Sequence, residues 1–119
     1  MADPKKTVTI RVASLEEVKG RVGAAFRGEE AGNHITFIST ELLWSTLNEK
    51  RWAIVKAMTG QGAMSIREAA RRVGRDVKAV HGDVQRLLAS GILKRTEDGR
   101  VEFPCEAIHV DFKLSASAA

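Results

Sequence analysis

The stretch that decides the fold runs from Ser65 to Phe103: SIREAARRVG (65–74), RDVKAVHGDVQRLLASG (75–91) and ILKRTEDGRVEF (92–103). Ser65 followed three residues later by Glu68 is a capping box. The hydroxyl is set to accept from the backbone at Glu68, and the carboxylate to reach back to the Ser65 amide. A helix is expected behind it with Ile66, Ala69, Ala70 and Val73 turned inward. Gly74 ends that helix, and Asp76 caps another after a very short turn. In the second helix, Val77 to about Ala89, the apolar residues Val77, Val80, Val84, Leu87 and Leu88 fall on one arc at helical spacing. Two helices joined by a three- or four-residue turn containing glycine form the helix-turn-helix pattern.

Beyond Ser90-Gly91, two alternating runs, 92–96 and 100–103, flank Glu97-Asp98-Gly99. Asp-Gly between alternating runs is a strong hairpin signal. A hairpin directly after the second helix is a wing, so the expected fold is α+β: a winged helix-turn-helix with a strand and helix added before it and a strand after it.

Charge follows the same segment. Residues 65–100 hold nine of the 19 lysines and arginines but only five of the 15 acids, so the whole net charge of +4 lies there. That asymmetry is the footprint expected of a protein that binds a polyanion, although a solvated helical pair with surplus arginines would carry it too. The face opposite the apolar arc carries Arg75, Lys78, Ala79, Gly82 and Arg86. Glycine within a helix costs about 1 kcal/mol against alanine. At Gly82 a missing side chain would let the helix backbone lie close to a groove floor, with Lys78 and Arg86 reaching phosphates or guanine edges on either side. The alternative is a neutral surface glycine. Ser65 and Arg67 at the start of the first helix, and Lys94, Arg95 and Arg100 on the wing, complete the candidate DNA-binding set. His81 and Asp83 sit toward the edges of the apolar arc and read as intramolecular hydrogen-bonding residues rather than base readers.

Working outward, Thr7–Val12 alternates as a short strand, and Ser14 caps a helix from Leu15 to about Arg27 that Gly28, Gly32 and Asn33 stop. Ile35–Ile38 reads as a second strand. Ser39 or Thr40 caps a helical segment through Leu47, and Asn48 caps the next helix, with Trp52, Val55 and Met58 on one stripe. Trp44 and Trp52 read as core rather than as cofactor-stacking groups. A further strand is expected from Ala107 to Leu114, and Ser115–Ala119 is a low-complexity tail. The chain thus divides into an N-terminal arm (1–47), the winged helix (48–104) and a C-terminal strand with its tail (105–119). The two arms are the candidate dimer elements, because a single reading helix buries too little for operator-level affinity and unpaired strands leave open edges.

Several function classes drop out. Aromatic residues make up only 5% of the chain, too few for a single-strand stacking platform. One cysteine, Cys105, excludes an intramolecular disulfide and a multi-thiolate zinc site. His34, His81 and His109 lack metal-ligand spacing, and Gly60-Gln-Gly62 lacks the rest of a dinucleotide fingerprint. No catalytic constellation and no cofactor are expected. No signal peptide and no apolar run long enough for a membrane helix are found, so a cytoplasmic protein is expected.

Ile35–Ser39, Asn48–Trp52, Ser65–Ala70, Val73–Asp76 with Val80, Asp83 and Val84, Gly91–Leu93, Pro104 and Ala107–Phe112 together resemble a family of small MarR-like winged-helix regulators of bacteria and archaea. Members are often encoded beside a small toxin gene, where they are taken to be antitoxins. Asn48 stands where that family carries threonine, and Cys105 where it carries an aromatic residue; neither lies in the reading head. The resemblance implies DNA binding together with neutralisation of a cognate toxin as a protein partner. Joined to the dimer argument above, the expected function is a homodimeric repressor that binds double-stranded DNA, with its own operon as the target. Two rivals stand beside it: an antitoxin for which DNA binding is secondary, and a winged-helix interaction module with no nucleic-acid role.

Overall fold

Alternation of Val8 and Ile10 with threonine and arginine makes β1 (Thr7–Val12), and both apolar side chains turn into the interior. The computed structural model describes residues 7–13 and 34–113. The helix expected over Leu15–Arg27, its Ser14 cap and stop residues, and the 115–119 tail lie outside the described residues.

β1 is the middle strand of a three-stranded sheet, with β2 (His34–Phe37) on one side and β5 (Ala107–Asp111) on the other. Both pairings are parallel: Ile10 lies beside Ile35 and Val110, Val8 beside Ile108, and Val12 beside Phe37. Paired residues in a sheet point to the same side. The register therefore gathers these apolar side chains on one face, against the helices, in one continuous core.

This placement corrects the expectation that the N- and C-terminal strands are arms separate from the winged helix. They are each other's neighbours within one chain, and Val8 and Ile10 are core residues. An amphipathic strand gains more by covering its own helices than by waiting for a partner.

Four helices are described. α1 (Thr40–Thr46) begins at Ser39, whose Oγ accepts from Leu42 N at 3.0 Å. α2 (Glu49–Met58) begins at Asn48, whose Oδ1 accepts from Arg51 N at 2.9 Å, and buries Ile54, Val55 and Met58. Trp52 is half-buried against the core, but Trp44 is 51% exposed, contrary to its core assignment. On α1 the buried positions are Leu43 and Thr46, which turns Trp44 outward, edge-on to Phe112 with ring centroids 5.4 Å apart.

α3 (Ile66–Val73) starts at Ser65 and ends at Gly74, which takes the left-handed conformation (φ 69°) open to glycine at little cost. Arg75 N donates back to Ala70 O at 3.1 Å. Three residues after α3, α4 (Val77–Ser90) begins under the Asp76 carboxylate, which accepts from Lys78 N and Ala79 N. Val80, Val84 and Leu87 are its buried stripe.

The chain then reverses through β3 (Lys94–Arg95) and β4 (Val101–Glu102), which pair antiparallel. The strands are shorter than the alternation predicts, because Ile92 N and Leu93 N both donate to Leu87 O and remain tied to the end of α4. A lone two-residue ladder would be marginal. Met64, just ahead of α3, exchanges two backbone bonds with Val101 (2.8 and 2.9 Å) and fastens the hairpin to the helix pair. No helix among the described residues is long and apolar enough to cross a membrane.

Candidate functional site

The buried stripe of α4 fixes what the helix shows to solvent. With Val80, Val84 and Leu87 inward, Lys78, Ala79, His81, Gly82, Gln85, Arg86 and Ala89 are exposed. At about 100° per residue, Gly82 lies opposite the middle of the buried stripe, with Lys78 and Arg86 one turn to either side. A methyl group built at Gly82 meets nothing within 4 Å, so the surface there is open. The α4 face is a shallow strip of small residues flanked by two cations.

What keeps this strip free of negative charge is the fate of the nearby acids. Asp83 is turned inward between two arginines: Arg51 Nε donates to Oδ1 at 3.0 Å, and Arg75 Nη2 stands 2.9 Å from Oδ2. All three side chains are largely buried. Arg51 also donates from Nη1 to the Ser45 carbonyl at 2.7 Å. The cluster thus ties α1, α2, the turn before α4 and the middle of α4 together. Asp83 was expected to be an intramolecular partner, and it is one.

Arg75 corrects the expectation that it projects outward with Lys78. The left-handed turn at Gly74 and the extended Asp76 break the helical phase, so Arg75 swings toward Asp83. Its Nη1 is buried without a hydrogen-bond partner among the described residues.

Glu68, the second acid, is also committed. It accepts from Arg71 Nε and Arg72 Nε, both at 2.8 Å. These hydrogen bonds, Arg71 first, hold its carboxyl down at about 2 against an ordinary 4.5. Ser65 Oγ accepts from Glu68 N at 3.0 Å as the capping box requires, but the reciprocal bond to the Ser65 amide is replaced. Two guanidinium groups one turn away are stronger partners for a carboxylate than one amide.

On the hairpin, Asp98 receives Arg100 Nε at 2.8 Å and the Thr96 hydroxyl. The Thr96 bond leads in lowering its carboxyl below the ordinary value. Arg100 is therefore a paired residue of the loop rather than a free cation, while Arg95 Nη1 reaches only the Gly99 carbonyl at 3.4 Å.

Of the expected set, Arg67, Lys78, Arg86, Lys94 and Arg95 are exposed and carry no ion pair among the described residues. Ser65, Ala79 and Gly82 are exposed as well. His81 and Gln85 belong to the same exposed face, with His81 Nε2 and Gln85 Nε2 3.4 Å apart. Sequence reasoning set His81 aside and missed Gln85. Its offset of three residues from Gly82 was the signal, since residues three apart share a helix face.

Away from this face, Cys105 is buried in the core, and burial pushes its thiol above the ordinary value. A groove of about 590 Å³ lies between Leu43, Trp44, Leu47, Trp52, Val110 and Phe112, without any residue of α4.

No curated protein matches the chain. Residues 46–110, from the end of α1 through α2, α3, α4 and the hairpin into β5, match the HVO_A0114 family; the match covers more than half of the sequence, and the chain belongs to that family.

Proposed function

We propose that this chain is a sequence-specific regulator of double-stranded DNA, a repressor in which α3, α4 and the hairpin act as a winged helix-turn-helix. The observation that carries the reading is the outward face of α4. Gly82 is open at its centre, Lys78 and Arg86 are exposed without ion pairs among the described residues, and Asp83 is withdrawn into the Arg51–Arg75 cluster. A helix that enters the major groove needs small residues where its backbone meets the base edges and cations where it meets phosphates. Gln85 adds a side chain of the type that pairs with adenine. Lys94 and Arg95 on β3 would place the wing on the flanking backbone.

The reading takes in the resemblance to MarR-like regulators, with autoregulation of the protein's own operon and an antitoxin role beside it. It assigns the protein to the cytoplasm and gives it no catalytic step and no cofactor. The interaction-module alternative is less favoured, because the α4 face offers cations and small residues rather than a contiguous apolar surface.

The experiment is an anisotropy titration of the full chain with a labelled duplex from upstream of its own gene, and with a shuffled duplex of equal composition. The upstream duplex is expected to bind at least about tenfold more tightly, with affinity falling steeply as salt rises. Absence of binding, or equal binding to both duplexes, overturns the reading.

A further inference from the structure

β5 has a partner on one side only: among the described residues the sheet ends there, in the order β2-β1-β5. The strand AIHVD contains no proline and no lysine, and its one charged residue, Asp111, faces away from the core. Among the described residues, β5 thus carries neither the proline nor the lysine that often guards an edge from pairing. Directly after it stands Phe112, 42% exposed, edge-on to Trp44, which is 51% exposed. An open edge beside two large exposed aromatic rings is a surface built to be covered.

We propose that the edge of β5 pairs antiparallel with β5 of a second copy of this chain, with Val110 on the twofold axis. The register follows from what each choice sets opposite what. With Val110 on the axis, His109 faces the second copy's Asp111, and Asp111 faces the second copy's His109. On the core side, Ile108 faces the second copy's Phe112. His109 and Asp111 are both exposed on the polar side of the strand, and Ile108 is half-buried on the apolar side. Each facing pair is matched in kind, imidazole to carboxylate and aliphatic to aromatic. A register one residue earlier would set His109 against itself and leave both copies of Phe112 beyond the paired segment.

Antiparallel pairing is also the arrangement a twofold axis imposes on an isologous edge. The result is a six-stranded sheet, β2-β1-β5 continued by the same three strands reversed, with the Trp44–Phe112 contact of each copy closing over Ile108 of the other. This inference rests on the DNA-binding reading proposed above and supplies an interface that would set two α4 faces on one duplex. It is tested without DNA, so either reading can fail alone.

The test is sedimentation of the full chain and of three variants. Wild type is expected to be dimeric. Asp111→Lys, which replaces the carboxylate facing each imidazole by another hydrogen-bond donor, and His109→Asp, which sets two carboxylates opposite each other, each act at two symmetric positions and should each raise the dimer Kd about tenfold or more. The double variant His109→Asp with Asp111→Lys sets a carboxylate opposite an ammonium across the axis and should return to within about threefold of wild type. Both sites are exposed, and unchanged circular dichroism will show that the variants fold. A monomeric wild type, a dimer indifferent to the single changes, or a double variant no better than the singles overturns the proposal. So does a monomer that buries Trp44 and Phe112 only against a co-encoded protein.

Discussion

Asp83 and Glu68 show how single residues shape the candidate site by being removed from it. Asp83 lies on the helix proposed to read DNA, yet its carboxylate is held by Arg51 and Arg75, so the acid costs the α4 face nothing. The position of Asp83 beside the apolar arc made its inward role legible from the sequence. Its partners were not legible: Arg51 lies 32 residues away, and Arg75 depends on how the Gly74 turn breaks the helical phase.

Glu68 gives a pH signature. Its carboxyl ionises at about 2 in the folded chain, against 4.5 without its partners. The stabilisation from its arginine contacts is complete above the ordinary value, and is lost as pH falls from about 4.5 toward 2, because the unfolded chain then takes up the proton first. Glu68→Gln should therefore flatten the fall in the urea midpoint across that window while leaving the remainder of the acid response. Parallel curves for wild type and variant would show that the Arg71 and Arg72 contacts do not persist in solution.

At the scale of elements, the legible features were those written in local chemistry. Ser39, Asn48, Ser65 and Asp76 each cap the helix expected after them, because an N-cap is decided within four residues. Gly74, Gly91 and Gly99 take positive φ where the helices and the hairpin turn. The hairpin strands were overestimated, since the bonds of Ile92 and Leu93 to Leu87 O depend on how α4 ends.

α4 carries the element-scale prediction. Gly82→Ala adds a methyl into open space, so helix propensity alone should raise unfolding free energy by about 0.5–1 kcal/mol, read as a higher melting temperature. If the backbone at Gly82 meets the groove floor, the same methyl should weaken duplex binding about tenfold or more. The two effects have opposite signs, which a general loss of structure cannot mimic. A variant that melts higher and binds DNA with undiminished affinity would make Gly82 a neutral surface glycine and move the reading face elsewhere.

Across the whole molecule, the α+β class was legible but the sheet was not. That β1 lies between β2 and β5, all parallel, depends on contacts spanning about a hundred residues, from Thr7–Ala107 to Arg11–Asp111, and no local pattern encodes them. The same long-range pairing makes β1 and β5 part of the core that supports α4 rather than detachable arms. It leaves Trp44 and Phe112 on the surface, edge-on to each other, although Trp44 was expected in the core.

Charge is arranged at this scale too. Acids near α4 are used up in internal pairs and caps, while Lys78, Arg86, Lys94 and Arg95 face solvent. The central claim is that this face of α4 binds duplex DNA. The most direct measurement is the affinity of Lys78→Ala with Arg86→Ala for the upstream duplex, alongside its melting temperature. The claim predicts about a tenfold to hundredfold loss of affinity, with a shallower salt dependence and an unchanged fold. Wild-type affinity in the folded double variant would contradict it.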